Sequence, residues 1–473
     1  MAKYDFSNIG NETCSSNEIK ILSGTVISKN LVPEHTSGSA ARPFLVFQDA
    51  QSGKKFGISK SLLVKNILLT GAPGTGKTSW MMQMIRRLCE TQEAEDAIVV
   101  FDTKGDYYRE FGRTADCEVI VIGNGKQYEN MTRYWNVFGE FMERDGAGNL
   151  RYTKYSDQEA RELVTGLYVG LESSTQPFFH NAAIDITTMV MIGMAREAER
   201  TGERRKLHTC YLARFLKTAT REEFLAILED VKNPDFRSAL EYIGGGKELG
   251  GQAQGVLSTI RTMANRILVG IFGDGVLPKE LNGREFSMRD IYHARKKLLV
   301  FVEYDLKIGA TLSPIYRLLF DTLFREALGQ QESRRRNLYV MLDEMALLCK
   351  LERIGETVNV GRSLKLSVTA GIQDINQILS LYGDAEGRAV LAGFGNLIGF
   401  HVRDEGCREY LSGRFGKNRT DTTFVSMNQN FHMQRDGYCL EDWDIMGLKT
   451  GEAAVKLEGE LPFLFQFSSY TGR

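Results

Sequence analysis

The chain has 473 residues, of which 42% are hydrophobic and 25% charged, an ordinary globular composition in a chain too long for one small core. Lys and Arg number 59 against 60 Asp and Glu, a formal net charge of −1, which excludes a protein that coats nucleic acid with its whole surface. Seven scattered cysteines without a CxxC pair, and six histidines in no ligand-spaced cluster, point to reduced thiols and not to a disulfide frame or zinc site.

Residues 1–20 are polar and lack the apolar stretch of a signal peptide. The richest apolar runs, 186–195 and 390–400, fall short of the roughly 20 residues of a membrane span, so a cytoplasmic protein is expected. Residues 1–60 carry Gly/Ser punctuation at Ser37-Gly38-Ser39 and Ser52-Gly53, with the short piece Phe44-Leu45-Val46-Phe47; they predict a small β-rich lead-in. Over 61–150 the pattern is α/β. Ile67-Leu68-Leu69 precedes a glycine-rich loop, and Met81, Met84, Ile85 and Leu88 then form one helical stripe. Strands follow at 97–101 and 119–122. Between 151 and 285 strand-like runs vanish and charged helical patterns take over at 159–168, 182–200, 221–232 and 252–269, an inserted all-α domain. Over 286–473 the strands resume at 298–302, 338–342, 366–370, 397–400 and 452–456, with a helix over 314–328. Continuous apolar strands alternating with helices predict a mostly parallel, RecA-like sheet covered on both faces.

Residues 71–78 match G-x-x-x-x-G-K-[ST] between an apolar strand and an amphipathic helix. Gly71, Ala72, Pro73, Gly74, Thr75, Gly76, Lys77, Thr78 and Ser79 are therefore expected to cradle the phosphates of ATP. In that cradle backbone amides point inward, Lys77 bridges the β- and γ-phosphates, and the Thr78 hydroxyl ligates Mg²⁺. The apolar run 338–342 ends in Asp343-Glu344. A strand that delivers two carboxylates at its end suits Asp343 to the Mg²⁺ shell and Glu344 to polarising the attacking water. Gln373 ends the next apolar strand and is read as a γ-phosphate sensor. Arg362, in Gly361-Arg362, is read as a finger reaching a neighbouring subunit's nucleotide, with Arg403 and Arg414 as weaker candidates. Asp102, in Asp102-Thr103-Lys104-Gly105-Asp106, either touches the nucleotide's water shell or makes a structural turn. The runs Arg204-Arg205-Lys206, Arg295-Lys296-Lys297 and Arg334-Arg335-Arg336 read as solvated loops and are not assigned to DNA.

Three segments together are distinctive. Leu342-Asp343-Glu344-Met345-Ala346-Leu347-Leu348-Cys349-Lys350-Leu351, then Gly361-Arg362, then Ala370-Gly371-Ile372-Gln373-Asp374-Ile375-Asn376-Gln377-Ile378 with Tyr382-Gly383, closely resemble the type IV coupling proteins of conjugation and secretion (the TraG/TraD/TrwB family). The turn at 102–106, the Trp135-Asn136 pair and Asp290 fit as well, so the likeness runs from about residue 60 to 460. The resemblance implies a RecA-like motor of the FtsK/HerA superfamily with an all-α insertion, working as a hexamer. It implies ATP-driven delivery of single-stranded DNA with its relaxase, or of effector proteins, to a type IV secretion channel. By position, its Walker lysine is Lys77, its Walker B acids are Asp343 and Glu344, its sensor glutamine is Gln373 and its arginine after glycine is Arg362. Most members carry a transmembrane anchor; here membrane association is expected through partners, at the inner face. A duplex DNA translocase of the FtsK/HerA type, and a cargo-receptor platform with a structural nucleotide, stand as the alternative readings.

Overall fold

The structure, a computed structural model, describes residues 15–28, 44–50, 53–171, 177–231, 237–244, 250–275, 281, 283–331, 335–426 and 429–472. The punctuation expected at 37–39, and Ser52 and Arg334, lie outside these.

Nine strands build the central sheet: β1 (Ile67–Thr70), β2 (Ala97–Asp102), β3 (Glu118–Ile122), β4 (Leu298–Glu303), β5 (Leu338–Leu342), β6 (Leu366–Ile372), β7 (Asn396–Gly399), β8 (Glu452–Lys456) and β9 (Phe463–Gln466). Their spatial order is β9-β8-β7-β1-β6-β5-β2-β4-β3. The strands from β7 through β3 run parallel, and β8 and β9 close one edge antiparallel. The register aligns Thr70 with Ile372, and Leu342 with both Ala370 and Phe101. The carboxyl ends of β1, β6, β5 and β2 therefore share one edge, where open α/β sheets place their ligands.

Each strand is buried on both faces because successive side chains point to opposite sides. Ile67, Leu69, Ile98, Val100, Phe301 and Met341 face one layer; Leu68, Val99, Phe101, Val300, Val340 and Leu342 face the other. On the first face lies the helix Lys77–Thr91, whose stripe Met81, Met84, Ile85 and Leu88 is buried as expected. The hairpin of Leu45–Gln48 and Lys55–Ile58 packs beside it, with the Phe47 ring stacked on Trp80 at 5.1 Å. The rest of the N-terminal lead-in goes elsewhere. Ser15–Gly24 pairs with Lys417–Ser426, which pairs with Gln429–Tyr438, in a separate three-stranded antiparallel sheet.

The helix Gly309–Leu328 begins a turn before the expected 314, with Pro314 inside it. Proline has no N–H for the Ala310 carbonyl, and the Ser313 hydroxyl bonds that carbonyl instead, at 2.9 Å.

The insertion is helical. Ser156–Leu167, Pro177–Thr201, Arg221–Val231 and Gly251–Ile267 match the expected stretches, and Thr209–Thr218 and Arg237–Gly244 are additional short helices. A parallel pair, Tyr134–Trp135 with Glu285–Phe286, brings the entering and leaving chain together. Pro177–Thr201 is long and apolar enough to cross a membrane by length and composition, with mean hydropathy 1.2, yet 67% of that window is buried inside the fold. Counting only 186–195 undercounted it, because His180, Asn181 and Asp185 precede that run without breaking the helix. Its apolar residues join the same core as the sheet's second face, so sheet and helical insertion share one packed interior.

Candidate functional site

The glycine-rich loop leaves β1 and turns into the helix Lys77–Thr91. Gly74 and Gly76 have φ of +78° and +125°, conformations that suit glycine. At Gly76 a Cβ would also stand 3.1 Å from the Phe400 ring and 3.2 Å from Gly451 Cα. The loop is stitched to its surroundings: Ala72 N–H donates to the His401 carbonyl at 2.8 Å, and Gly451 N–H donates to the Thr75 carbonyl at 2.8 Å. Thr75 Oγ1 braces the loop from within, donating to the Ala72 carbonyl at 2.7 Å.

Ala72, Pro73, Gly74, Gly76, Lys77, Thr78 and Ser79 line a cleft of about 440 Å³, and the expected Gly71 and Thr75 do not line it. Lys77 is buried and folds back so that Nζ bonds the Gly71 carbonyl, with Ala72 O at 3.4 Å. Burial pulls its pKa down, and the nearby Glu344 and Asp343 push it back up. From the far side of the cleft come Asp343 and Glu344, at the end of β5, and Gln373, just past β6. Gln373 Nε2 donates to Glu344 Oε2 at 2.6 Å, and Glu344 Oε1 is buried with no hydrogen-bond partner. Burial pushes the Glu344 pKa up to about 7, against the pull of Lys77 and Gln373.

Asp102 does not reach the cleft. Its Oδ1 accepts from the backbone amides of Lys104 and Gly105, at 3.1 and 2.8 Å, and its Oδ2 from those of Tyr107 and Tyr108, at 2.9 and 3.1 Å. It is fully buried. Of the two readings, the structural turn is correct, since every acceptor position of the carboxylate is spent on the backbone. Its neighbours do reach the site. The Thr103 hydroxyl donates to Asp343 Oδ2, the Tyr107 hydroxyl donates to Asp343 Oδ1 at 2.7 Å, and Thr103 and Lys104 line the cleft. The expectation for this motif fell on Asp102, whereas Thr103 and Lys104 line the cleft. Thr450, Gly451, Phe467, Ser468 and Ser469 complete the wall, and the expected strands stopped short of this segment at 456. It is tied to the loop's helix by Tyr470 N–H on Ser79 Oγ at 2.6 Å and by Gln83 Nε2 on the Ser468 carbonyl at 2.7 Å.

Arg362 lies apart. It is exposed in the turn before β6, whereas Gln373 follows the other end of that strand, about 20 Å away for a strand of this length. It cannot touch its own chain's cleft. Arg414 is committed to structure, donating to the Leu391 and Phe394 carbonyls at 2.9 and 2.7 Å. Arg403 is exposed, two residues beyond His401, whose carbonyl accepts from Ala72. Within the basic runs Arg295 pairs with Glu95 at 3.5 Å, and Arg336, read as part of a solvated loop, is instead buried and donates to the Ile291 and Tyr292 carbonyls at 3.0 Å.

The profile of the type IV secretion-system coupling protein DNA-binding domain matches residues 54–470. The chain belongs to that family. It is 20% identical over 362 residues to the coupling protein TraD of Escherichia coli strain K12, a match that takes in 75% of this chain but only 44% of TraD. Among solved structures it is similar to unbound TrwBdeltaN70, a bacterial conjugative coupling protein, with a TM-score of 0.70 at 18% identity over 98% of this chain and 97% of that one. TrwB in complex with ADP and Mg²⁺ gives a TM-score of 0.68 at 18% identity over 97% of each chain. VirB4 of Thermoanaerobacter pseudethanolicus gives 0.51 at 14% identity over 90% and 96%. These likenesses fix the fold as an α/β P-loop fold with a helical insertion.

Proposed function

We propose that this family member is an ATPase that delivers DNA, as a single strand with its relaxase, or effector proteins to a type IV secretion channel. One observation carries the reading. Lys77 and Asp343, 266 positions apart (343 minus 77), meet on one cleft with Thr78, Glu344 and Gln373. The proposed division is a motor in two parts, 61–150 and 286–473, a helical domain at 151–285, and a lead-in at 1–60.

The donor set suits ATP with Mg²⁺. Thr78 offers a hydroxyl and Asp343 a carboxylate held at both oxygens, and the Gly71 carbonyl keeps Lys77 within the loop that amide-lined phosphates would occupy. Mg²⁺ would hold phosphate oxygens and neutralise their charge. In this reading Glu344 takes the proton of the attacking water at Oε1, the oxygen left without a partner. Gln373 fixes the other oxygen and so orients the carboxylate. The distance of Arg362 from its own cleft supports the homo-hexameric ring that the family resemblance implies, in which Arg362 serves a neighbour. Membrane association would come through partners, at the cytoplasmic face.

Steady-state ATPase assays without DNA, with single strands and with duplex, at several protein concentrations, test the reading. Turnover that climbs with protein concentration and with single strands is expected. Stimulation by duplex alone would favour an FtsK/HerA-type translocase. Rates linear in protein and indifferent to DNA would remove both translocation and ring assembly.

A further inference from the structure

The turn after β2 brings to the cleft a cation that no motif assigns. Asp102 binds four backbone amides and Gly105 sits at φ +71°, where a Cβ would stand 2.7 Å from the Tyr128 hydroxyl. The backbone that carries Lys104 is thus fixed. Thr103, one residue before it, bonds the Asp343 carboxylate. Lys104 itself lines the cleft, is exposed, and has no ion pair among the described residues.

The charges around the cleft are few. Lys77 and Lys104 are its two lining cations among the described residues, and no arginine joins them. They stand on opposite flanks, because the strand order β1-β6-β5-β2 puts the loop at one end and the Lys104 turn at the other, with Gln373, Asp343 and Glu344 between. A triphosphate lying from the loop towards the acidic pair would carry its terminal group, the most highly charged, towards Lys104. A diphosphate would end nearer Lys77. An ammonium is a flexible point charge suited to phosphate oxygens.

We propose that Lys104 binds the terminal phosphate of the nucleotide in its own chain and so tells nucleoside triphosphate from diphosphate. The inference rests on the proposed nucleotide site. Because Thr103 holds Asp343 from the same turn, the group that reads the third phosphate and the group that steadies the metal-ligand carboxylate move as one body.

The test is binding affinity for ADP and for a non-hydrolysable ATP analogue, each measured with Mg²⁺ and with chelator, on the full chain. Lys104→Ala is expected to weaken the triphosphate analogue about tenfold or more, the scale of one lost charge-assisted bond, while ADP binding stays within about twofold. Lys104→Arg should keep most of the preference, and Lys307→Ala, a nearby exposed lysine outside the cleft, should leave both affinities unchanged. Equal weakening of both nucleotides by Lys104→Ala, or no change in either, overturns the assignment. A wild-type chain that binds neither nucleotide would overturn the nucleotide site itself and this inference with it, a pattern distinct from the other two.

Discussion

Two buried glutamates carry the same displaced pKa and do different work. Glu140 sits where the helical insertion leaves the motor, and Glu344 sits in the cleft; burial pushes each up to about 7. Glu140 spends its oxygens on three donors: the Trp135 indole N–H at 2.8 Å, the Met288 amide at 2.9 Å and the Arg289 amide at 3.1 Å. Glu344 has one oxygen on Gln373 and the other free of partners. Desolvation alone therefore does not mark a reactive carboxylate. What marks it is an acceptor left unspent beside a cavity, whereas a fully engaged one is a peg between packed elements.

The sharpest way to break the comparison is Glu344→Gln. Turnover should fall by about a thousandfold, within the range of a lost general base, with nucleotide binding kept; unchanged turnover would strip Glu344 of its role. Glu140→Ala should do the opposite. It strands two buried donors and a half-buried one and is expected to lower unfolding free energy by about 3 kcal/mol in denaturant titration, with nucleotide affinity intact under native conditions. A variant as stable as the parent would mean that water replaces the carboxylate at no cost.

A smaller effect is expected from Gln373→Ala, about tenfold in turnover, because the glutamine orients a base and is not one itself. The pH profile sharpens it. Glu344 must be ionised to accept a proton, so wild-type turnover should rise with pH through about 7. Removing Gln373 deletes a bond that favours the carboxylate, so the midpoint should move to higher pH.

The remaining expected effect is on stability against pH. Both carboxyls hold protons more tightly folded than unfolded, where the ordinary value is 4.5. Their linked stability is complete below about pH 4.5 and lost as pH rises through about 7. Glu140→Ala should flatten that slope, and a slope unchanged in the variant would remove Glu140 from the account.

Much of this was legible beforehand. All eight expected strands are in the central sheet, because strands buried on both faces leave unbroken apolar runs. β9 was missed even though its run Phe463-Leu464-Phe465 is as apolar as the others; it lies beyond the last motif that framed the reading. The long ribbon of Lys417–Ser426 and Gln429–Tyr438 was missed for a physical reason. It is rich in Thr, Asn, Arg and Asp, so no hydrophobic period betrays it.

At the cleft, the sequence by itself determined the loop and the acidic pair, because their chemistry is written in contiguous residues beside a strand. Only the tertiary structure decided that Thr103 and Tyr107 hold Asp343, contacts that span 240 and 236 positions. It alone turned Asp102 inward onto the backbone, brought the 467–469 segment over the loop, and sent Arg362 to the other end of its strand. Local patterns state which residues can bind phosphate or metal. Which neighbours stand beside them follows from strand order, and strand order is settled by packing across hundreds of residues.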